Sequence, residues 1–435
     1  MYFSNYTLSL LLAFFTFFIL CSHSGAQTID AAVISKKTII TISDGEMTEN
    51  YFYEIMINNR SGDKYAEISI PYDKLTKVSG IEASICDLLG NEIQKLRKSD
   101  IVDRSNPSYF SFYEDSYVKQ FSLRNHNYPY ILKYSYKHTS KQFLTITNWS
   151  PVEDTDIPTL DAILEVNVPS DYKISYREYN CDKPKGESKD NITSYTWTST
   201  YQKIIKPENF LFDIPGNMQS WRELGNWQLK LLNGLNDLPA SEIEKIKSLV
   251  NDGMSDQQKA KALFYYLQRE TRYVNVTITT GGMKPYPASY VATKKYGDCK
   301  ALANYYIAAL SVLGIKAYYS EIYADDQIFT TDSTLPSQQF NHVIACLPIN
   351  NDTLWVDCTS DLAFGYLGTF TQNRHSLVNN QDSSRLVKTP ALTLSDVNEL
   401  RVVTVKQPDQ TLSKAEFNTT FRGKKYELLM LMRTT

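Results

Sequence analysis

The sequence is short of histidine, cysteine, glycine and net charge, and each scarcity removes a class of function. Its 45 Lys and Arg nearly balance 48 Asp and Glu, a formal charge of −3, so no overall field draws in a polyanion and nucleic acid is not an expected partner. With 17 Gly and 16 Pro against 42% hydrophobic residues, the composition is that of packed globular domains and not of a collagen-like or disordered chain. Six cysteines and five histidines include no Cys-X-X-Cys or His-X3-His spacing, so no structural metal site is expected and no cofactor is implied. The one extended apolar run, Leu8 to Cys21, has about 14 residues where a membrane span needs about 20, so no stable span is expected.

That run is followed by Ser24, Gly25 and Ala26, which put small residues where a signal peptidase reads, and residues 1–26 are read as a signal peptide. Export to a periplasm is the expectation, although no Lys or Arg precedes the run. Cys21 offers a lipoprotein anchor as the lesser alternative, since Leu20 precedes it where a lipidation site takes a small residue. Export would put Cys86, Cys181, Cys299, Cys346 and Cys358 in an oxidising compartment, and five being odd, at least one thiol stays free in a monomer.

At about 150 residues per domain, 435 residues give two or three domains. Residues 27–212 carry short Ile-, Val-, Thr- and Tyr-rich runs (Lys37 to Ser43, Tyr51 to Ile57, Tyr65 to Ile70, Ile163 to Val168) with Asp44-Gly45, Asn58-Asn59 and Gly62-Asp63 nearby, and are read as an all-β sandwich. The 31 Tyr fit strand chemistry, and His126 and His138, isolated in Tyr-rich surroundings, are read as structural. From residue 213 the pattern turns helical. Trp221, Leu224, Trp227, Leu231 and Leu235 form a stripe; Ser241 with Glu244 and Ser255 with Gln258 read as capping boxes ahead of two further helices. Residues 213–390 are thus an α+β domain with leading helices, and residues 391–435, with the β-type run Leu400 to Val405, the start of a short, truncated-looking C-terminal β segment.

The chemistry concentrates after Tyr296-Gly297-Asp298-Cys299. Leu302, Tyr306, Ala309, Leu310 and Leu313 keep helical spacing and Gly314 stands where a C-cap would, so Cys299 opens a helix. A helix start beside Lys300 favours a thiolate and offers a backbone N–H to an oxyanion. The runs Phe340 to Pro348 and Thr353 to Cys358 flank Asn350-Asn351 as a hairpin holding His342 and Asp357. With the turn centred between the two asparagines, His342 faces Thr359 and Asp357 lies diagonally on the same face; centred one residue earlier, the two oppose directly; a three-residue turn would part them. The same reading puts Cys346 on the face of His342 and Cys358 on the other, which disfavours a disulfide between them. Imidazole can take the proton of a thiol while a carboxylate orients the ring. His375, in a polar loop, is read as a surface residue, and a zinc site of Cys299, His342 and Cys346 lacks the usual spacing.

The block Tyr-Gly-Asp-Cys-Lys opening a helix, Leu313-Gly-Ile315 at its end, then Asn341-His342-Val343 and Trp355-Val356-Asp357 in order, resembles the bacterial transglutaminase-like superfamily over about residues 256–390. The preceding β region resembles a domain of unknown function that often accompanies this module in exported bacterial proteins. The resemblance implies a papain-like fold with Cys299 as nucleophile, His342 as base and Asp357 as orienter. It implies acyl transfer from a peptide, protein or other amide through a thioester, to water or to an amine. Ala301 stands where that family commonly has Asp. Tyr273 and Asn275 are the candidates for a second oxyanion donor. The alternative from another class is an inactive binding or scaffold protein whose β domain recognises a glycan or a protein.

Overall fold

The computed structural model describes residues 29–106, 113–152, 154, 156–178, 182–202, 213–215, 218–277, 282–381, 383–407 and 413–433. The expected signal peptide, Cys21 and Cys181 lie outside them.

Strand Ala31–Ser43 turns at Asp44-Gly45, both at positive φ (52° and 73°), into Glu46–Ile57, the geometry a two-residue hairpin demands. These two strands sit inside an eight-stranded sheet. On one side lie Thr159–Pro169, paired in parallel with Ala31–Ser43, then Ile192–Gln202 and Lys185–Lys189; on the other lie Tyr130–Ser140, Thr76–Cys86 and Glu92–Lys95. A three-stranded sheet of Glu67–Asp73, Ser116–Ser122 and Val102–Ser105 covers part of it, with Ile68, Ile70 and Phe121 packed on Ile55, Ile57, Ile85 and Leu132. Ile146 and Trp149 cover the rest, over Ile40, Met47, Leu164, Val166 and Trp197.

A bulge between Val33 and Ser35 makes this single inner face feasible. Val33 before it and Ile40 after it both pair with odd-numbered residues of the neighbouring strand, Ile55 and Glu49, so the inserted residue corrects a parity that would otherwise turn half the strand outward. The tyrosines work as cross-strand pairs: Tyr51 stacks on Tyr136 and Tyr53 on Tyr134, each with centroids 4.6 Å apart and each directly opposite in the ladder. His138 packs against this column, and burial lowers its pKa, with Asp73 opposing, as a structural histidine's would be.

The second half is α+β. Helices Trp221–Leu232, Ala240–Ser248, Asp256–Glu270, Ala288–Lys294 and Cys299–Val312 accompany a five-stranded antiparallel sheet ordered Asp352–Val356, His342–Ile349, Tyr318–Ile322, His375–Val378, Arg385–Lys388. Leu302, Tyr305, Tyr306 and Leu310 of the Cys299 helix bury against Val343, Ala345, Leu347 and Val356 of that sheet. The helix ends in a Schellman motif: Gly314 adopts φ 71°, Ile315 N–H donates to Leu310 C=O and Gly314 N–H to Ser311 C=O.

The Ser255–Gln258 capping box is present. The one expected at Ser241 and Glu244 is not: the helix starts at Ala240 behind Pro239, without a side-chain cap, and Ser241 faces solvent in its first turn. Proline's fixed φ, here −60°, is itself suited to a helix entry, so the cap is dispensable. Among the described residues no helix is long and apolar enough to cross a membrane. In the tail, Leu400–Lys406 pairs with Lys414–Thr420, and a helix unforeseen from the sequence, Lys424–Arg433, follows.

Buried Glu242 ties the helices together. It accepts hydrogen bonds from Tyr266 on one helix and Tyr305 on the Cys299 helix, and pairs with Lys295 at 3.3 Å, four residues before Cys299. Replacing Glu242 by Ala strands two buried hydroxyls and leaves a cavity, so the variant is expected to lose about 3 kcal/mol in urea unfolding. A loss under about 1 kcal/mol would show the junction to be dispensable.

Candidate active site

The site forms where the start of the Cys299 helix meets the end of strand His342–Ile349. Asp298 is the N-cap, buried, with Oδ1 accepting from Ala301 N–H at 2.9 Å and Oδ2 paired with Lys300 Nζ at 2.5 Å. With Leu302 N–H donating to Asp298 C=O, the N–H groups of Cys299 and Lys300 remain as the free donors of the first turn among the described residues. Burial works against the Lys300 charge, but Cys299 and Asp298 outweigh it and hold its pKa above the ordinary value.

The hairpin takes the register centred between Asn350 and Asn351. Ile349 pairs with Asp352 and Ala345 with Val356, while both asparagines have positive φ (54° and 63°), which Asn tolerates. Extended outward, this ladder puts His342 opposite Thr359 with Asp357 diagonal to it, within side-chain reach. His342 Nε2 lies 3.0 Å from Asp357 Oδ2. The other carboxylate oxygen accepts from Thr359 N–H at 3.0 Å and Thr359 Oγ1 at 2.8 Å, so both oxygens have partners. Cys299 is the other polar group that acts on the charge of the His342 ring.

The electrostatics follow from burial. Desolvation opposes a charged His342, yet Asp357 and Cys299 together raise its pKa to about 10. Desolvation likewise opposes the Asp357 charge, but His342 and the Thr359 donors hold its pKa below the ordinary value. The thiol itself is only 7% exposed.

Tyr273 enters beside this group. It pairs in parallel with Gly297, and Val274 N–H donates to Gly297 C=O at 2.9 Å, which fixes Tyr273 two residues from the cysteine in the adjoining strand. The side chain is 49% exposed, and its hydroxyl pKa is raised by desolvation and by the charges of Cys299, Asp298 and Asp357. Asn275 is partly buried two residues further on.

Cys346 packs with Ile344 and Trp355, and burial pushes its thiol up to about 12. Among the described residues no group of three or more His, Cys, Asp or Glu could hold a metal ion, and the described cysteines, Cys86, Cys299, Cys346 and Cys358, are free thiols. Sequence reasoning missed the role of Asp298 as cap and partner of Lys300, and the hold of Thr359 on Asp357. An Asp directly before a helix start and a Thr two residues after an Asp were the available signals. Phe370, whose ring meets that of His342 edge-on at 6.1 Å, gave none.

Residues 244–359 match the model of the transglutaminase-like superfamily, and residues 43–206 match a domain of unknown function, DUF3857. The chain joins a DUF3857 domain to a transglutaminase-like domain. Among solved structures, a candidate protease from Parabacteroides distasonis is similar at TM-score 0.63 and 12% identity, over 88% of this chain and 79% of that one, a likeness of fold. A candidate cysteine protease from Cytophaga hutchinsonii matches at 9% identity over 72% of this chain and 76% of that one, with a TM-score of 0.23. No curated protein matches.

The raised His342 pKa has a consequence for the stability of the transglutaminase-like domain. The folded state binds this proton more tightly than the unfolded chain, so the contribution is fully present below the ordinary value of 6.5 and is lost as pH rises toward about 10. Between those limits the unfolding free energy of the native protein is expected to fall more steeply than that of His342→Gln, and parallel profiles would contradict the assignment.

Proposed function

We propose that the protein is a thiol acyltransferase or hydrolase in which Cys299 attacks the carbonyl carbon of an amide. The convergence of Cys299, His342 and Asp357 carries this reading. The thiolate forms a C–S bond, the amide C–N bond breaks, and the His342 imidazolium delivers its proton to the departing amine. Water or a second amine then attacks the thioester, His342 takes the proton released, and the thiolate is restored. Asp357 holds the ring through Nε2 and favours the imidazolium, with Thr359 fixing the carboxylate.

The developing oxyanion needs donors. The open N–H groups at the helix start supply one, and Tyr273 supplies the second: a tyrosine hydroxyl is a donor at neutral pH, and its strand pairs with Gly297, two residues before Cys299. These observations favour Tyr273 over Asn275. The acyl donor is a peptide or protein met after export, with residues 1–26 as signal peptide and the periplasm as compartment, a reading supported by the small residues that follow the apolar run.

The test is the labelling of Cys299 by iodoacetamide at pH 7, mapped by mass spectrometry, in the wild type and in His342→Ala. The wild-type rate is expected to exceed that of the variant about tenfold or more. Slow labelling indifferent to His342 would sink the enzyme and leave a binding protein that recognises a glycan or protein through its DUF3857 domain.

A further inference from the structure

Resting on the acyl-transfer reading, we propose that Phe370 determines specificity, standing on the His342 side of the site and selecting an acyl donor with an apolar or aromatic side chain beside the scissile amide. Phe370 is 46% exposed, yet its ring stands edge-on to the His342 imidazole at 6.1 Å and 71°. A large apolar side chain left half in water against a reacting group has unburied area to offer, and a substrate that reaches Cys299 and His342 must come within its contact range. An edge-to-face aromatic neighbour also leaves a ring face open to a further apolar group.

Phe370 is held there by parts of the molecule that otherwise have no task at the site. Its own C=O accepts from Asp325 N–H at 3.2 Å. The residue before it, Thr369, donates through N–H at 2.8 Å and Oγ1 at 2.6 Å to the carboxylate of Glu427, on helix Lys424–Arg433, and Tyr366 donates to the same carboxylate at 3.0 Å. Gly368 permits the approach: it adopts φ 65°, and a Cβ there would stand 3.2 Å from Glu427 Oε1. The same helix pairs Lys424 with Asp326 at 2.6 Å, so one C-terminal element grips both segments that meet at Phe370. Buried Arg374 ties the 325–327 segment from within, donating to the C=O groups of Asp325 and Gln327. Glu427 is thus a positioning residue for Phe370.

The test compares two alkylating probes with one warhead, iodoacetamide and N-benzyl iodoacetamide, at Cys299. The ratio of their rates isolates recognition of the benzyl group from the reactivity of the thiol. In the wild type the benzyl probe is expected to be favoured about tenfold over its ratio at a free cysteine, the scale of one well-buried aromatic contact. Phe370→Ala is expected to remove most of that preference, Phe370→Leu to keep part of it, and Glu427→Ala to lower it toward the Phe370→Ala value. A ratio unmoved by Phe370→Ala would overturn the proposal while leaving Cys299 reactive. A ratio lowered by Phe370→Ala but not by Glu427→Ala would overturn the positioning role alone. A thiol that labels slowly and without regard to His342 would instead overturn the acyl-transfer reading beneath it.

Discussion

The buried ion pair between His342 and Asp357 is the contact around which the transglutaminase-like domain is arranged. Two charged groups cannot be taken from water unless each finds close partners, and here each has them: the carboxylate has His342 and both donors of Thr359, and the ring has Asp357 and Cys299. The pair exists only in one hairpin register. Asn350 and Asn351, both left-handed, set a two-residue turn, and a turn longer by one residue would direct Asp357 to the far face of the strand. Local turn chemistry thereby decides whether a carboxylate meets an imidazole eight residues before the bend.

The cysteine is delivered to that pair by a separate set of constraints, acting on the helix it opens. Asp298 caps the helix and neutralises Lys300, while Glu242 grips Tyr305 within the helix and Lys295 just ahead of it. Both carboxylates are buried and multiply bonded, so displacing the helix start would leave desolvated charges without partners. Rigid placement of Cys299 follows from the cost of that exposure rather than from apolar packing alone.

Much of this was legible in the sequence because it depends on near neighbours. The helix opened by Cys299, its Gly314 terminus, the Ser255 capping box and the Asn-Asn hairpin are all decided by residues within a few positions of one another. Features decided at long range were not legible. Pro239 supplanted the Ser241 cap, whose first-turn neighbour Glu242 was drawn inward by tyrosines 24 and 63 residues away. The parallel pairing of Ala31–Ser43 with Thr159–Pro169, more than a hundred residues apart, has no local signature, nor does the bulge that preserves its inner face. Phe370 reads in sequence as an apolar residue between threonines, and only the folding of the 366–371 turn against Glu427 brings it to His342.

The DUF3857 domain is coupled to the site through backbone, which limits how independent the two halves can be. Tyr113–Glu114 pairs in parallel with Val276–Thr277, three residues beyond the point where Tyr273 pairs with Gly297. The segment carrying Tyr273 is therefore tied at one end to the strand that leads into Cys299 and at the other to the β domain. Arg177 of the β domain adds an ion pair to Asp332 at 2.6 Å, in the loop that leads to His342. A short strand cannot shift relative to one partner without loosening its bonds to the other. A displacement of the β domain against the transglutaminase-like domain would accordingly strain the backbone that carries Tyr273, the residue proposed above as an oxyanion donor.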